Sequence, residues 1–266
     1  MKISWQQLQE FYPGLNEKRF KQEVQLYSNT HQLPLAQAEK EFLQRCLKGE
    51  PFAYINGWSY FYDSEYRVTQ DCLIPRFESE ILVELVVQLM RKEQLTQIAE
   101  IGVGSGALFL SVLRSIDFPV KILATDLCAK ALQVAKWNYF LQRNSIHHQT
   151  QVNLIVHDRL KEIEQNFDLI FSNPPYIPSD SKEVHPQVDL FEPGKALYLD
   201  KVEYNSWYQL FFEQALANLS SGGYFLLEGH ENHLADLAQL AKSIGFSQAN
   251  LKRDYTQRDR FLILKK

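Results

Sequence analysis

The spacing of apolar residues changes near residue 50 and divides the chain into two styles of organisation. Before that point apolar residues recur every three to four positions, the period of a helix with one buried face. Trp5, Leu8 and Phe11 form one stripe, Phe20, Val24 and Tyr27 a second, and Leu35, Ala38, Phe42 and Cys46 a third. Ser4 is placed to cap the first helix and Pro13-Gly14 to break it. The second helix begins near Asn16, and the third opens at Pro34 and stops at Gly49. Residues 1–49 thus read as a small helical domain. From residue 50 to 75 the chain turns aromatic and β-branched, through Phe52 to Tyr62 and Tyr66-Arg67-Val68, with turn residues at Asn56-Gly57 and Asp63-Ser64. That predicts a β-hairpin linker. A helix follows with Ile81, Leu82, Leu85, Val86 and Leu89 on its inner side.

Residues 76–266 alternate short apolar runs with helical periods. Strands are expected near 97–102, 120–125, 152–157, 167–172 and 223–228, and helices near 105–116, 128–143, 204–219 and 231–243. Alternation of this kind gives an α/β domain with a mostly parallel sheet covered on both faces. Phe246 to Lys252 and Arg260 to Leu264 depart from it, being two strands joined by a polar turn with no helix between. A parallel sheet finished by an antiparallel hairpin resembles the Rossmann-like class I methyltransferase layout, whereas dinucleotide dehydrogenases close with another strand–helix unit.

Composition narrows the picture. The 266 residues are 45% hydrophobic with 17 Phe and 13 Tyr, enough for a sizeable core, and the net charge of −4 argues against stable binding of long nucleic acid. Cys46, Cys72 and Cys128 are dispersed and unpaired in pattern, as expected of plain thiols in a reducing compartment. No window approaches the ~18 apolar residues of a membrane span, and Met1 to Gln7 lack the apolar centre of a signal peptide. A cytoplasmic protein with no membrane partner is expected.

Glu100-Ile101-Gly102-Val103-Gly104-Ser105-Gly106 follows a strand and opens a helix. Glycines permit the tight turn and the close approach of a ligand, and the helix start offers free N–H groups. With Ala107 in third place the loop satisfies the dinucleotide pattern, and it equally satisfies the acidic-x-Gly-x-Gly-x-Gly loop that holds S-adenosylmethionine. Asp126, 20 residues beyond Gly106, sits at the next strand tip, where a carboxylate can accept from both ribose hydroxyls. Asp158 at the following tip can accept from an adenine amine or serve as a helix cap. These residues indicate an adenosine ligand without separating the two cofactors.

Asn173-Pro174-Pro175-Tyr176 separates them. Two prolines after the run Phe167 to Ser172 force the chain out of the sheet in a fixed extended form. An amide or ring amine nitrogen is a poor nucleophile because its lone pair is delocalised, so an enzyme alkylating it must hold the NH2 and aim it. Asn173 Oδ1 and the Pro174 carbonyl are two acceptors for two N–H groups, and Tyr176 offers a face for a planar group. Positioning then carries most of the catalysis, with an electrophilic sulfonium as driving force. Whether the NH2 belongs to a base or to a glutamine is left open by the tetrapeptide.

The chain resembles the release-factor glutamine N5-methyltransferases, the PrmC/HemK-like family, from about Gly49 to its end. The segments that carry the likeness are Gly49-Glu50-Pro51 with Ala53-Tyr54, Leu73-Ile74-Pro75-Arg76-Phe77-Glu78-Ser79-Glu80, Glu100 to Gly106, and Ala124-Thr125-Asp126 with Ala131-Leu132. Ser172 to Ile177, Phe191-Glu192-Pro193 with Ala196-Leu197, and Asp254 with Asp259-Arg260 complete them. The tetrapeptide is shared with adenine-N6 methyltransferases; the Pro75-Arg76 and Phe191-Glu192-Pro193 segments are particular to the glutamine enzymes. The resemblance implies methyl transfer from S-adenosyl-L-methionine, without a metal, to the glutamine of the Gly-Gly-Gln motif in class 1 peptide-chain release factors. It implies that Asn173, Pro174, Pro175 and Tyr176 hold the acceptor, with Asn173 also touching the cofactor. Glu100, Gly102, Gly104, Gly106, Asp126 and Asp158 hold the cofactor, and residues 1–49 dock the release factor. Arg76, Glu78 and Glu80 receive no role. Phe77 stands where the family has Pro, Ser79 where it has Thr, and Leu227-Glu228-Gly229-His230 where it reads Leu-Glu-Ile-Gly.

Rival readings are a ribosomal-protein glutamine methyltransferase, a nucleic-acid adenine-N6 methyltransferase, a dinucleotide-dependent oxidoreductase and a non-catalytic partner-binding protein. His230 and His233 read as a helix start rather than metal ligands, and Trp58, Trp137 and Tyr60-Phe61-Tyr62 as packing residues.

Overall fold

The computed structural model describes residues 5–181 and 184–266; the Ser4 cap falls outside them. Helices α1 (Trp5–Phe11), α2 (Glu17–His31) and α3 (Leu35–Cys46) form the N-terminal cluster. Asn16 caps α2, its Oδ1 accepting from Arg19 N at 3.0 Å, which satisfies one of the free donors at the helix start. Leu8, Phe20, Val24, Phe42 and Cys46 meet in the interior. Leu35 does not join them, being 52% exposed, and Leu43 is buried in the same helix instead.

The linker differs from expectation. Phe52–Asn56 is a helix, α4, rather than a strand. Pro51 precedes its first turn and Gly57, at φ +79°, closes it in the left-handed conformation that glycine adopts without strain. Asn56-Gly57 is therefore a helix end, and the hairpin comprises only β1 (Trp58–Phe61) and β2 (Ser64–Arg67). Tyr62 and Asp63, both at positive φ, make its two-residue turn. Ile55 of α4 packs with the helical cluster, while Phe61 and Tyr66 of the hairpin pack into the larger domain.

The larger domain holds a seven-stranded sheet. In chain order it contains α5 (Glu80–Glu93), β3 (Gln97–Ile101), α6 (Ala107–Arg114), β4 (Lys121–Asp126), α7 (Ala129–Gln142), β5 (Gln151–Val156) and β6 (Phe167–Ser172). A loop region follows with β7 (Ile177–Pro178), α8 (Pro186–Phe191), α9 (Gly194–Leu197) and β8 (Tyr198–Leu199). Then come α10 (Tyr204–Asn218), β9 (Leu219–Glu228), α11 (Leu234–Ile244), β10 (Gln248–Arg253) and β11 (Asp259–Lys265). The sheet order is β10-β11-β9-β6-β3-β4-β5. Strands β5, β4, β3, β6 and β9 run parallel, and β11 and β10 are antiparallel additions.

Successive strand residues face opposite sides, so Ile98 packs with α5 and α6 while Ala99 packs with α10 and α11. The chain builds β3, β4 and β5 outward and then crosses back to lay β6 on the other side of β3. That reversal leaves a crevice beyond the carboxyl ends of β3 and β6, where open α/β sheets bind ligands.

Candidate active site

A cleft of about 510 Å³ opens at that reversal, lined by the ends of β3, β4 and β6 and by Cys72, Leu73, Pro75, Arg76, Ser79 and Trp207. Gly102, Gly104 and Gly106 all have positive φ, at +75°, +54° and +82°. They do different work. A Cβ at Gly102 would meet no protein atom within 4 Å, and one at Gly104 would meet only Cys72 Cβ at 4.0 Å, so both border open cleft. A Cβ at Gly106 would lie 2.8 Å from Phe109 and 3.2 Å from Ala135. Gly106 is thus a helix-packing glycine and does not line the cleft.

Asp126 lies at the cleft with both carboxylate oxygens engaged: Oδ2 accepts from Gly104 N at 2.8 Å and Oδ1 from Cys128 N at 2.7 Å. Burial pushes its carboxyl up from the ordinary range, and these two N–H groups pull the other way. Each oxygen keeps a second lone pair for a ligand hydroxyl. Glu100 is placed elsewhere: its side chain is buried outside the cleft lining, and Oε2 accepts from Phe109 N at 2.9 Å. Complete burial pushes its carboxyl well above the glutamate range, and its bond from Phe109 N makes Glu100 a brace of the α6 start. Asp158 is exposed at the cleft margin, paired with Arg159, whose guanidinium sits 5.0 Å over Trp207.

Beyond β6, Asn173, Pro174 and Pro175 line the opposite wall. Tyr204 and Tyr208, one turn apart on α10, donate to the carbonyls of Tyr176 and Pro175 at 3.3 and 3.2 Å. Among the described residues, neither the Pro174 carbonyl nor Asn173 Oδ1 accepts a hydrogen bond. The two acceptors expected to grip an NH2 are therefore held in place and free. Asn173 Nδ2 donates to Ser79 Oγ at 3.0 Å, and Ser79 Oγ donates to Glu228 Oε2 at 2.6 Å. Tyr176 is absent from the cleft lining: its hydroxyl donates to Glu228 Oε1 at 3.2 Å and its ring lies 6.4 Å from that of His230. Tyr176 anchors the loop from beneath instead of offering a face to the cleft.

Within the segment that had received no role, Arg76 lines the cleft and makes a brace beside it. Arg76 Nη2 donates to Glu192 Oε1 at 2.6 Å, and Glu192 Oε2 accepts from Ile74 N at 3.2 Å, tying Pro75-Arg76 to Phe191-Glu192-Pro193. Glu80 Oε1 accepts from Tyr62 N at 3.0 Å, and Glu78 is exposed. Sequence reasoning also missed Asn138 on α7. Fully buried, it donates to the carbonyls of Ser105 and Arg67 at 2.8 and 2.9 Å and accepts from Arg67 N, joining the glycine loop to the hairpin. An Asn within the helical run Ala129–Gln142, which also carries Lys130, Gln133 and Lys136, gave no sequence signal that marked it. His233 packs at 4.9 Å against Tyr204. Trp137 is half exposed beneath Arg67 rather than interior.

Residues 79–197 match the Methyltransferase small domain family. Over 267 residues, 99% of this chain and 88% of the relative, the sequence is 31% identical to a release factor glutamine methyltransferase of Lactococcus lactis. The chain belongs to the release factor glutamine methyltransferase family. A second member, from Fusobacterium nucleatum, is 33% identical over 225 residues, which are 84% of this chain and 62% of that protein. The methyltransferase fold is also seen in a T. thermophilus 16S rRNA methyltransferase solved with AdoMet and guanosine. It superposes with a TM-score of 0.52 at 18% identity, over 79% of this chain and 49% of that one. In this methyltransferase the Pro75-Arg76 and Phe191-Glu192-Pro193 segments meet in space through Arg76 and Glu192. No helix among the described residues is long and apolar enough to cross a membrane.

Proposed function

We propose that this enzyme transfers the methyl group of S-adenosylmethionine to the side-chain amide nitrogen of the glutamine in the Gly-Gly-Gln motif of a class 1 release factor. The observation that carries the reading is the pair of unoccupied acceptors, Asn173 Oδ1 and the Pro174 carbonyl, on the wall opposite the glycine loop. They match the two N–H groups of a primary amide.

The residues present fit S-adenosylmethionine. Gly102 and Gly104 face open space where a side chain would intrude, and Asp126 retains lone pairs for the ribose hydroxyls. Asp158 and Trp207 border the cleft where an adenine would lie. The cofactor, when bound, supplies an electrophilic methyl group. The chain supplies position. Asn173 Oδ1 and the Pro174 carbonyl each accept one N–H of the acceptor amide, which fixes its plane and turns the nitrogen toward the glycine-loop side. Tyr204 and Tyr208 hold the next two carbonyls so that the Pro174 carbonyl cannot swing away. Fixing two reactants in this way replaces a bimolecular encounter with an oriented one. The helical N-terminal domain is proposed to receive the body of the release factor; Gln187 of α8 donates to the Gly49 carbonyl at 2.6 Å, joining that domain to the loop beside the cleft.

Asn173→Ala tests the reading. Methylation of purified release factor is expected to fall about a hundredfold or more, while calorimetry shows S-adenosylmethionine affinity within about threefold of wild type. Equal loss of both would make Asn173 a cofactor or folding residue and overturn its place as acceptor clamp.

A further inference from the structure

Glu228, Ser79 and Asn173 form a chain of side-chain hydrogen bonds that ends at the cleft. Glu228 ends β9, beside β6, whose Ser172 is in register with Leu227. Its side chain is 1% exposed, and it receives two hydrogen bonds, from Tyr176 OH to Oε1 and from Ser79 Oγ to Oε2. An ionised carboxylate only accepts. Ser79 has one hydrogen, spent on Glu228, so its oxygen can only accept from the next group along. Only the NH2 end of Asn173 satisfies that demand, and Nδ2 is the atom that Ser79 meets at 3.0 Å. Oδ1 is left as the free end of an amide that lines the cleft.

We propose that Ser79 and Glu228 are positioning residues that lock the Asn173 amide with its oxygen toward the acceptor. This rests on the reading that Asn173 Oδ1 receives an acceptor N–H. Polarity runs one way, Tyr176 and Ser79 into Glu228 and Asn173 into Ser79. A proton on Oε2 reverses it: Glu228 then donates to Ser79, Ser79 donates to the Asn173 oxygen, and the amide turns its NH2 into the cleft. Two NH2 groups would face each other and the clamp would repel its substrate. The groups facing Glu228 are Ser79 from the turn before α5, Tyr176 from the loop, Tyr208 from α10, Arg260 from β11 and, by charge, Glu78. Burial is the largest influence and raises the Glu228 carboxyl above the ordinary glutamate range, while the Ser79 hydroxyl, Arg260 and the Tyr176 hydroxyl pull it partly back toward the ionised form.

Ser79→Ala, Ser79→Thr and Glu228→Gln, assayed beside wild type for release-factor methylation, cofactor affinity and melting temperature, test the proposal. Ser79→Ala leaves Asn173 free to flip and should lower kcat about ten- to a hundredfold, with S-adenosylmethionine affinity within about twofold. Ser79→Thr keeps the hydroxyl and should keep kcat within about threefold. Wild-type kcat should fall on acidification, and Ser79→Ala should lack that limb because the relay from Glu228 is cut. Glu228→Gln can donate to Ser79, so it should lose kcat without that limb even if it melts lower. Wild-type turnover with Ser79→Ala equal to it, or with Ser79→Thr as impaired as Ser79→Ala, overturns the positioning role. Absence of methyl transfer by wild type would instead overturn the functional reading beneath it.

Discussion

Two glycines of one loop should fail in opposite ways when given a methyl group. At Gly106 the new Cβ would sit 2.8 Å from the Phe109 ring and 3.2 Å from Ala135, both fully buried and unable to move aside. Overpacking of that kind costs about 1–3 kcal/mol, and the left-handed backbone at φ +82° adds about 1–2 kcal/mol for any residue with a Cβ. The sum, about 2–5 kcal/mol, corresponds to a fall in melting temperature of about 4–20 °C for a chain of this size. At Gly102 the backbone strain is similar, at φ +75°, but the Cβ meets nothing. Gly102→Ala should therefore melt about 2–12 °C above Gly106→Ala, the difference being the steric part alone. Cofactor affinity should rank the other way, because the Gly102 methyl projects into the cleft; a loss of about tenfold or more is expected there, against little direct loss at Gly106. Differential scanning calorimetry and titration calorimetry on the two variants read both quantities. A Gly106→Ala enzyme as stable as Gly102→Ala, or a Gly102→Ala enzyme binding S-adenosylmethionine as wild type does, would refute this division of labour.

Three further outcomes follow from the same geometry. Arg76→Met strands the carboxylate of Glu192, whose side chain is 1% exposed, and should destabilise by about 3 kcal/mol in chemical denaturation; a loss under about 1 kcal/mol would show that the pair is not a buried brace. Asp126→Asn replaces an acceptor of two backbone N–H groups with one that must turn an NH2 toward either Gly104 or Cys128. S-adenosylmethionine affinity should drop about tenfold or more by calorimetry, with an unchanged value counting against Asp126 as a cofactor ligand. Glu100 has its carboxyl raised well above the usual range by burial, so the stability it lends is full at low pH and lost as pH rises through the elevated value. Wild-type melting temperature should fall as pH rises from the ordinary glutamate range toward the elevated value, and Glu100→Gln, which stays neutral, should flatten that part of the curve.

The sheet was legible because its strands are apolar runs of the right length between glycine and proline breaks: Phe167–Ser172 lies where the pattern put it, and the remaining strands shift by a few residues. The antiparallel finish at β10 and β11 was readable from the missing helix between them. Phe52–Asn56 was misread because aromatic residues favour strands in isolation, yet here Pro51 and Gly57 fix the ends of one short helical turn that Ile55 packs into the N-terminal cluster. In the site, Asn173, Pro174 and Asp126 were visible as residue types at strand ends. Glu100, Gly106 and Tyr176 share the same motifs but turn away from the cleft, and no one-dimensional pattern distinguishes a glycine facing a ligand from one facing Phe109. Ser79, Glu228, Tyr204 and Tyr208 act through contacts across 28 to 149 positions of sequence. Such partnerships exist only once the chain has folded.

The Asn173 and Pro174 acceptors are proposed to hold the amide of one particular glutamine. Incubation of the wild-type enzyme with isotopically labelled S-adenosylmethionine and a purified class 1 release factor, followed by peptide mass spectrometry, tests it most directly. A single added methyl is expected on the side-chain nitrogen of the Gly-Gly-Gln glutamine, absent when Asn173→Ala replaces the enzyme. Label on another residue, on nucleic acid carried with the factor, or undiminished label with Asn173→Ala would contradict it.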